Sequence, residues 1–133
     1  MDENGDISGK RILFVDDEEL ACEFVSEVLA EAGCKVITAE DGDAAGQVFT
    51  KEQGQFDMVI TDWRMPHVDG RDLILNLRRN GYDGHVILTS SYINENNTEH
   101  FHTAFHVKHL LPKPFTAEQL TGMVANVFGT CAA

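Results

Sequence analysis

Residues 11–18 read RILFVDDE, an apolar run that ends directly in three acidic residues. The run Ile12–Val15 is typical of a short buried strand, because uninterrupted apolar residues suit a sheet that is covered on both faces. Asp16, Asp17 and Glu18 follow at the point where this strand ends. They either cap the next helix or form part of a site at the carboxyl end of the strand. The other strands of the chain decide between these two interpretations.

The rest of the chain alternates strand-like runs with helical patterns, so that a βα unit occurs five times. Gly33 is a typical stop after the first helix, and Thr116–Gln119 has the sequence of a capping box that opens the last one. The apolar periodicities predict strands at residues 12–15, 34–38, 56–61, 86–88 and 107–111, and helices at 18–32, 41–51, 73–79, about 96–105 and 117–128.

Five successive βα units with short apolar strands predict an α/β fold. The expected architecture is a doubly wound, flavodoxin-like (βα)5 domain, in which helices cover both faces of a five-stranded parallel sheet. A chain of 133 residues fits one such domain. We expect the domain at residues 10–129, after a flexible N-terminal tail at 1–9 and before a C-terminal tail at 130–133.

The composition excludes several classes of protein. A formal net charge of −12 argues against a nucleic-acid-binding surface, which needs clustered basic residues. No apolar run reaches the roughly 20 residues of a membrane span, and the polar, acidic N-terminus does not resemble a signal peptide. Cys22, Cys34 and Cys131 lack the spacing of a zinc or redox motif, so free thiols are expected. We therefore predict a cytoplasmic protein.

Polar residues follow four of the five predicted strands. Ligand sites in such sheets lie at the carboxyl ends of the strands, where the strand order reverses. In the order 2-1-3-4-5, Asp16, Asp17 and Asp62 converge there, and Thr89 and Lys113 lie alongside. In the order 3-2-1-4-5, Asp62 ends an edge strand far from the others. Taken singly, each residue has an ordinary explanation as a helix cap, a turn or a surface residue, but jointly they favour the first order.

The expected cluster has the chemistry of a phosphoryl-transfer site. Adjacent carboxylates repel one another, and a hard divalent cation with oxygen ligands, above all Mg²⁺, removes that conflict. A lysine and a hydroxyl that face the metal neutralise and hydrogen-bond phosphoryl oxygens. A carboxylate in this setting can itself be the nucleophile and form an acyl phosphate.

Four segments resemble those of the bacterial response-regulator receiver domain, a fold of the chemotaxis-regulator type. They are ILFVDDEE, DMVITDWRMPHVDG, VILTSS and LLPKPFT, and the resemblance covers about residues 10–128. It implies that Asp62 accepts a phosphoryl group from a phosphohistidine of a partner kinase, assisted by Thr89 and Lys113. It also implies a Mg²⁺ site formed by Asp16, Asp17, Asp62 and the backbone carbonyl of Arg64, and a cis bond between Lys113 and Pro114.

The resemblance also marks positions that switch or tune such a domain. The family usually has an aromatic residue where this chain has Leu110, so we expect an altered switch for which Tyr92 or Phe105 compensates. Arg64 is expected to pair with Glu18 across the site. The positions expected to switch or tune the domain are Leu110, Ser90, Ser91, Arg64 and Glu18.

Two further functions stay open. The first is an aspartyl-phosphate phosphatase of the haloacid-dehalogenase type, which also uses Asp, Thr and Lys, but whose first strand ends in D-x-D. The second and weaker one is a flavodoxin-like cofactor binder. We expect a signalling module rather than an enzyme. Its expected partners are a histidine kinase or phosphotransfer protein and a downstream output domain or protein, with no nucleic acid or membrane, and its expected state is a monomer or a phosphorylation-dependent dimer.

Two other features raise weaker expectations. His102 and His106 are four residues apart and would share a metal ion if both lay on one helical face. A polar helix surface is the more ordinary interpretation of this pair. Trp63, the only tryptophan, follows Asp62 directly, so we expect it partly exposed beside the site.

Overall fold

Five parallel strands form the centre of the protein, which we describe from a computed structural model. The structure describes residues 7–64, 69–105 and 107–131, without the side chains of 104, 105, 130 and 131. Its elements are β1 (Arg11–Val15), α1 (Glu19–Glu31), β2 (Lys35–Ala39), α2 (Gly42–Lys51), β3 (Met58–Asp62), α3 (Gly70–Arg79), β4 (His85–Ser90), α4 (Thr98–Phe105), β5 (His109–Pro112) and α5 (Ala117–Cys131).

The sheet has the order β2-β1-β3-β4-β5, which confirms the order 2-1-3-4-5. Its register brings the functional strand ends together. Val15 pairs with Thr61, so the residues after β1 lie beside the last residue of β3, and Asp62 pairs with Thr89 of β4. The order of the strands, and not the spacing of residues along the chain, therefore assembles the site.

Two apolar cores flank the sheet, which explains why its strands read as unbroken apolar runs. In β1, Leu13 and Val15 face the core formed with α2, α3 and α4. Ile12 and Phe14 face the core formed with α1 and α5. All four side chains are fully buried. Burial on both faces removes the alternation of polar and apolar residues that a half-exposed strand would show.

Helix starts and strand starts follow local chemistry. The side chain of Asp41 accepts a hydrogen bond from the Ala44 N–H at 2.7 Å, as expected of a helix cap. The predicted capping box is confirmed by reciprocal bonds between Thr116 and Gln119, of 2.8 and 3.1 Å. β3 begins at Met58 and not at 56, and β5 begins at His109 and not at 107, because the preceding apolar residues are buried without joining the ladder.

The described structure extends beyond the expected domain boundaries at both ends. Ile7 is 6% exposed, its carbonyl accepts a bond from Cys34 Sγ, and the Gly9 N–H donates to the Gly33 carbonyl. Residues 7–9 therefore differ from the flexible tail that the sequence suggested. Helix α5 continues to Cys131, two residues past the expected domain boundary at 129. Residues 1–6, 132 and 133 lie outside the described part, so the domain boundaries stay predictions.

Gly33 allows the close approach of the N-terminal segment to the end of α1. Its φ is +93°, and a Cβ at this position would lie 2.6 Å from the Ser8 hydroxyl. Only glycine accommodates both the left-handed backbone and the contact.

None of the helices in the described part of the chain has the length and apolar composition that a membrane span requires.

Candidate functional site

Three aspartates meet at the carboxyl edge of the sheet. Asp16 follows β1 and is fully buried, Asp62 ends β3 and is 9% exposed, and Asp17 is exposed at the rim. Each offers a carboxylate oxygen, and these oxygens all lie within 4.8 Å of one another. The predicted convergence is therefore confirmed. Asp16 also accepts a bond from the Glu18 N–H at 2.9 Å, so one carboxylate serves both the site and the start of α1.

Lys113, which follows β5, provides the positive charge inside this cluster. Its Nζ lies 2.7 Å from Asp16 Oδ2 and 3.5 Å from Asp62 Oδ2. Burial on its own lowers the pKa of Lys113, but the hydrogen bonds and charges of the two aspartates outweigh burial and raise it. The lysine is therefore a fixed cation. The Lys113–Pro114 bond is cis, as the resemblance implied.

Asp62 is the carboxylate whose ionisation the protein opposes. Burial raises its pKa from 3.8 to about 6, and the nearby charge of Asp16 adds to this. Lys113 and the Trp63 N–H, which donates to Asp62 Oδ1 at 2.9 Å, act in the opposite direction. Asp62 is thus ionised at neutral pH, but it binds a proton more tightly than an exposed aspartate does. This is the behaviour expected of a nucleophilic carboxylate.

The hydroxyl residues at the end of β4 lie next to Asp62 in the sheet. Thr89 is fully buried opposite Asp62, and its hydroxyl donates to the Thr61 carbonyl at 3.5 Å, a long bond that is easily exchanged. Ser90 is also buried, and its Oγ accepts from the Tyr92 N–H at 3.0 Å. Ser91 is exposed and, like Ser90, lines a groove that opens from Asp62.

The end of β3 and the start of α3 lie close together at the site. The Gly70 N–H donates to the Trp63 carbonyl at 2.7 Å, and a Cβ on Gly70 would collide with the carbonyl oxygen of Asp62. Asp69 caps α3 by accepting from the Asp72 N–H at 2.9 Å. Asp69 and Gly70 therefore fix the start of α3 beside the end of β3. Met65–Pro66, in the same segment, lies outside the described residues.

The donor set fits a hard divalent cation. Three carboxylates at one point, two of them buried, repel one another unless a cation or a proton is shared. Lys113 relieves that repulsion in part, but Asp17 carries its charge at the rim without an ion-pair partner among the described residues. All of the side-chain donors are oxygens, which Mg²⁺ prefers. The part of the chain that the structure describes holds no other cluster of three metal-ligating side chains.

A groove of about 510 Å³ opens from Asp62 and Lys113 toward α1. Apolar side chains form one wall of the groove. Leu20 is 76% exposed and Phe24 is 39% exposed, and the Phe24 ring lies 6.3 Å from the Phe115 ring. The apolar periodicity that predicts α1 includes Leu20 and Phe24, but it does not show that both side chains are exposed. The available signal was the position of Leu20, only two residues after the acidic cluster.

Two aromatic side chains contact Arg64, which lines the same groove. Its guanidinium carbon lies 5.1 Å from the centroid of the Trp63 ring and 5.1 Å from that of Tyr92. Among the described residues, no ion pair joins it to Glu18, so the expected Arg64–Glu18 pair is wrong. The two rings attract the cation instead. Trp63 also contacts Phe101 of α4, with ring centroids 5.3 Å apart.

The remaining expected positions have clear places or fall outside the described part. Leu110 is 9% exposed and packs in the core beneath α4, where a leucine offers neither a hydroxyl nor a ring. His102 Nδ1 lies 2.8 Å from the Val107 carbonyl. His106 and the side chain of Phe105 lie outside the described residues, so the paired-histidine metal site stays a prediction.

Comparisons with known proteins agree with this geometry. A family model for the response regulator receiver domain matches residues 12–125. Chemotaxis protein CheY-3 of Vibrio cholerae is 32% identical over 122 residues, which cover 89% of this chain and 91% of that protein. Transcription factor prr1 of Schizosaccharomyces pombe is 32% identical over 108 residues, and the chain spans only 19% of its length. The crystal structure of response regulator protein TrrA from Thermotoga maritima, in complex with Mg²⁺–BeF, superposes with a TM-score of 0.75 at 30% identity, covering 89% of this chain and 98% of that one.

Proposed function

The chain belongs to the response regulator receiver domain family, whose members act as phosphoacceptor modules in two-component signalling, and we propose that its phosphoacceptor is Asp62. One observation carries this proposal: Asp62 is the carboxylate at the junction of β1, β3 and β4 that faces both Lys113 and Asp16. Family membership favours this function over the phosphatase alternative.

The proposed reaction is an in-line transfer from a phosphohistidine to Asp62. The carboxylate oxygen attacks phosphorus, the P–N bond to the imidazole breaks, and its electron pair goes to the imidazole nitrogen, which takes a proton from water. Lys113 neutralises charge on the phosphoryl oxygens, and the Thr89 hydroxyl exchanges its long bond to Thr61 for one to a phosphoryl oxygen. An ionised Asp62 is required, and above pH 6 most of the protein has it.

We propose Mg²⁺ as the cofactor, held by Asp16, Asp17, Asp62 and the backbone carbonyl of Arg64. When bound, the ion supplies positive charge to the oxygens of the transferring group. The support is the shared oxygen chemistry of the three carboxylates and the Mg²⁺–BeF named with the Thermotoga maritima relative. Lys113 has to share Asp16 with the ion, since its Nζ lies 2.7 Å from Asp16 Oδ2.

The proposed phosphodonor is the phosphohistidine of a histidine kinase or phosphotransfer protein. Leu20 and Phe24 offer that protein an apolar surface that lines the same groove as Asp62, so docking there brings a histidine to the acceptor. The exposed face of α1 also carries Glu19, Glu23 and Glu27, which favour a basic rim on the partner. The cytoplasmic location, the output partner and the oligomeric state stay predictions.

Incubation with acetyl phosphate and Mg²⁺ tests the acceptor. The unchanged chain should gain one phosphoryl group that alkali or hydroxylamine removes, and Asp62→Asn should gain none. Asp83→Asn, which removes an exposed carboxylate far from the groove, is the matched control and should label normally. A label mapped to Asp16 or Asp17 would contradict the assignment of Asp62. Continued turnover of small phosphate esters would instead support a phosphatase.

A further inference from the structure

The Arg64 side chain has a position that the proposed reaction does not explain. The Trp63 and Tyr92 rings stand perpendicular, at 90° and 5.7 Å between centroids, and the guanidinium carbon lies 5.1 Å from each of them. The two rings come from different loops, one after β3 and one after β4. A long exposed side chain is thus held by two aromatic contacts where a solvated arginine would sample many rotamers.

The charges around the groove show what a fixed arginine contributes there. Asp62 and Glu18 line the groove with Lys113 and Arg64, and Asp16 lies beneath Lys113. Lys113 is already engaged by two carboxylates. Arg64 has no carboxylate within ion-pair distance among the described residues. The positive charge of Arg64 is therefore not neutralised by a neighbouring carboxylate. It can attract an anion that approaches the groove.

We propose that Trp63 and Tyr92 are positioning residues for phosphoryl transfer, which hold the Arg64 guanidinium at the groove opening so that it attracts anionic phosphodonors toward Asp62. The proposal rests on Asp62 as the phosphoacceptor. Charge fixed at an opening raises the local concentration of an oppositely charged substrate, and salt reduces this effect. A guanidinium that moves freely in solvent spreads the same charge over many positions and attracts less.

Tyr92 is the better of the two rings for a test. It is 54% exposed, so its removal leaves the core intact, whereas Trp63 also packs against Phe101 of α4. Tyr92→Leu removes the ring, and Tyr92→Phe keeps it. Each exposed cation–π contact changes the population of a side-chain position by about two- to fivefold. The rate of labelling by acetyl phosphate should change by a similar factor.

The experiment is a double-mutant cycle on the labelling rate of Asp62, with acetyl phosphate and saturating Mg²⁺, at low and high ionic strength. At low ionic strength, Arg64→Gln should slow labelling at least as much as Tyr92→Leu, by twofold or more. Tyr92→Phe, which keeps the ring, should be labelled at the same rate as the unchanged chain. In the Arg64→Gln background, Tyr92→Leu should have no further effect. Leu75→Ala, an exposed change on α3 away from the groove, is the control for surface substitution.

The outcomes separate this proposal from the proposed function. If no variant gains a phosphoryl group on Asp62, the phosphoacceptor assignment fails. If all variants are labelled but Tyr92→Leu matches the unchanged chain, the positioning role is overturned. It is also overturned if Tyr92→Leu slows labelling equally with and without the Arg64→Gln substitution, because the ring would then act independently of the guanidinium. High ionic strength should abolish the difference between Tyr92→Leu and the unchanged chain, and a difference that persists contradicts an electrostatic role.

Discussion

At the scale of single residues, the site combines two conflicting demands on Asp62. A nucleophile has to be ionised, yet burial beside Asp16 raises its pKa to about 6. Lys113 resolves part of the conflict with contacts of 2.7 Å to Asp16 and 3.5 Å to Asp62. The folded protein without a cation therefore retains an unfavourable charge at this point. A bound cation neutralises that charge, and a covalent bond from Asp62 to an electrophile removes the charge of its carboxylate.

Removal of the Asp62 charge should stabilise the metal-free protein. Between about pH 4 and pH 6 the folded state keeps a proton that the unfolded state has lost, so the free energy of unfolding falls as the pH rises. Asp62→Asn should abolish this fall and add about 1–2 kcal/mol at pH 7, a figure reduced for solvent screening. Chemical denaturation with a chelator present measures it. Equal stability of Asp62→Asn and the control Asp83→Asn would contradict the expectation.

Trp63 should report on the site through its own fluorescence. Its N–H donates to Asp62 Oδ1, and its ring contacts Tyr92 and Phe101, so a change at the carboxylate alters the surroundings of the only indole. We expect the emission to change when Mg²⁺ and beryllofluoride are added together. In Asp62→Asn, which lacks the acceptor, beryllofluoride should add nothing to the effect of Mg²⁺ alone. An unresponsive signal in the unchanged chain would contradict this coupling.

At the scale of elements, α1 shows where the sequence is informative and where it is not. Its apolar periodicity predicts the helix, and Val25 and Leu29 are fully buried against the sheet and α5. Leu20 and Phe24 belong to the same stripe but remain exposed. An apolar periodicity predicts which face of a helix is apolar. It does not show how much of that face the rest of the protein covers. The groove wall therefore became visible only in three dimensions.

The site itself was more predictable than its walls. The aspartates, Thr89 and Lys113 were predictable because each follows a strand, and the strand order alone decides whether they meet. The contacts of Arg64 with the Trp63 and Tyr92 rings were not predictable from the sequence. Tyr92 lies 28 residues after Arg64, and no periodicity connects the two loops. An exposed arginine has several competing partners, and Glu18 was the nearer expectation from charge alone. Rotamer choice depends on the ring faces that the fold happens to present.

The first residues of β4 and β5, together with the end of α5, form a second region in which protonation should affect stability. His85 begins β4 with its ring against Phe128 of α5, and His109 begins β5. Burial lowers the pKa of both histidines, and Lys108 lowers both further. Lys10 and Arg78 also lower the pKa of His85, while Asp57 raises it. His85 and His102 also lower that of His109.

Stability from these histidines should be complete above pH 6.5 and decline as the pH falls below that value. The unfolded chain binds the proton first, so acid favours unfolding. The measurement is denaturant unfolding at several pH values in the Asp62→Asn background, which removes the opposite trend of that carboxylate. Replacing His85 and His109 with Gln should flatten the slope below pH 6.5, and Leu75→Ala, an exposed change on α3, should not. An unchanged slope in the double variant would contradict the prediction.

At the scale of the whole molecule, the fold and the site depend on the same contact between β1 and β3. Val15 pairs with Thr61 at the end of the ladder, and the next residues are the carboxylates of the cluster. The formal net charge of −12 adds a general repulsion to the local one. Cation binding at this junction should therefore stabilise the entire domain and not only a loop. The proposed Mg²⁺ site then predicts a linkage between metal concentration and global stability.

Mg²⁺ should raise the free energy of unfolding in proportion to the logarithm of its concentration once the site is filled. A ligand that binds only the folded state at ten times its Kd adds about 1.4 kcal/mol. Thermal unfolding over a Mg²⁺ series, with Na⁺ adjusted to constant ionic strength, separates site binding from general screening of the net charge. Asp17→Asn removes a rim carboxylate without disturbing the Lys113–Asp16 pair, so it should weaken the dependence and shift it to higher Mg²⁺. Glu23→Gln removes the same charge from the exposed face of α1 and should leave the dependence unchanged. Equal responses of these two variants would mean that Mg²⁺ acts through net charge alone, and the assignment of Asp17 as a metal ligand would fail.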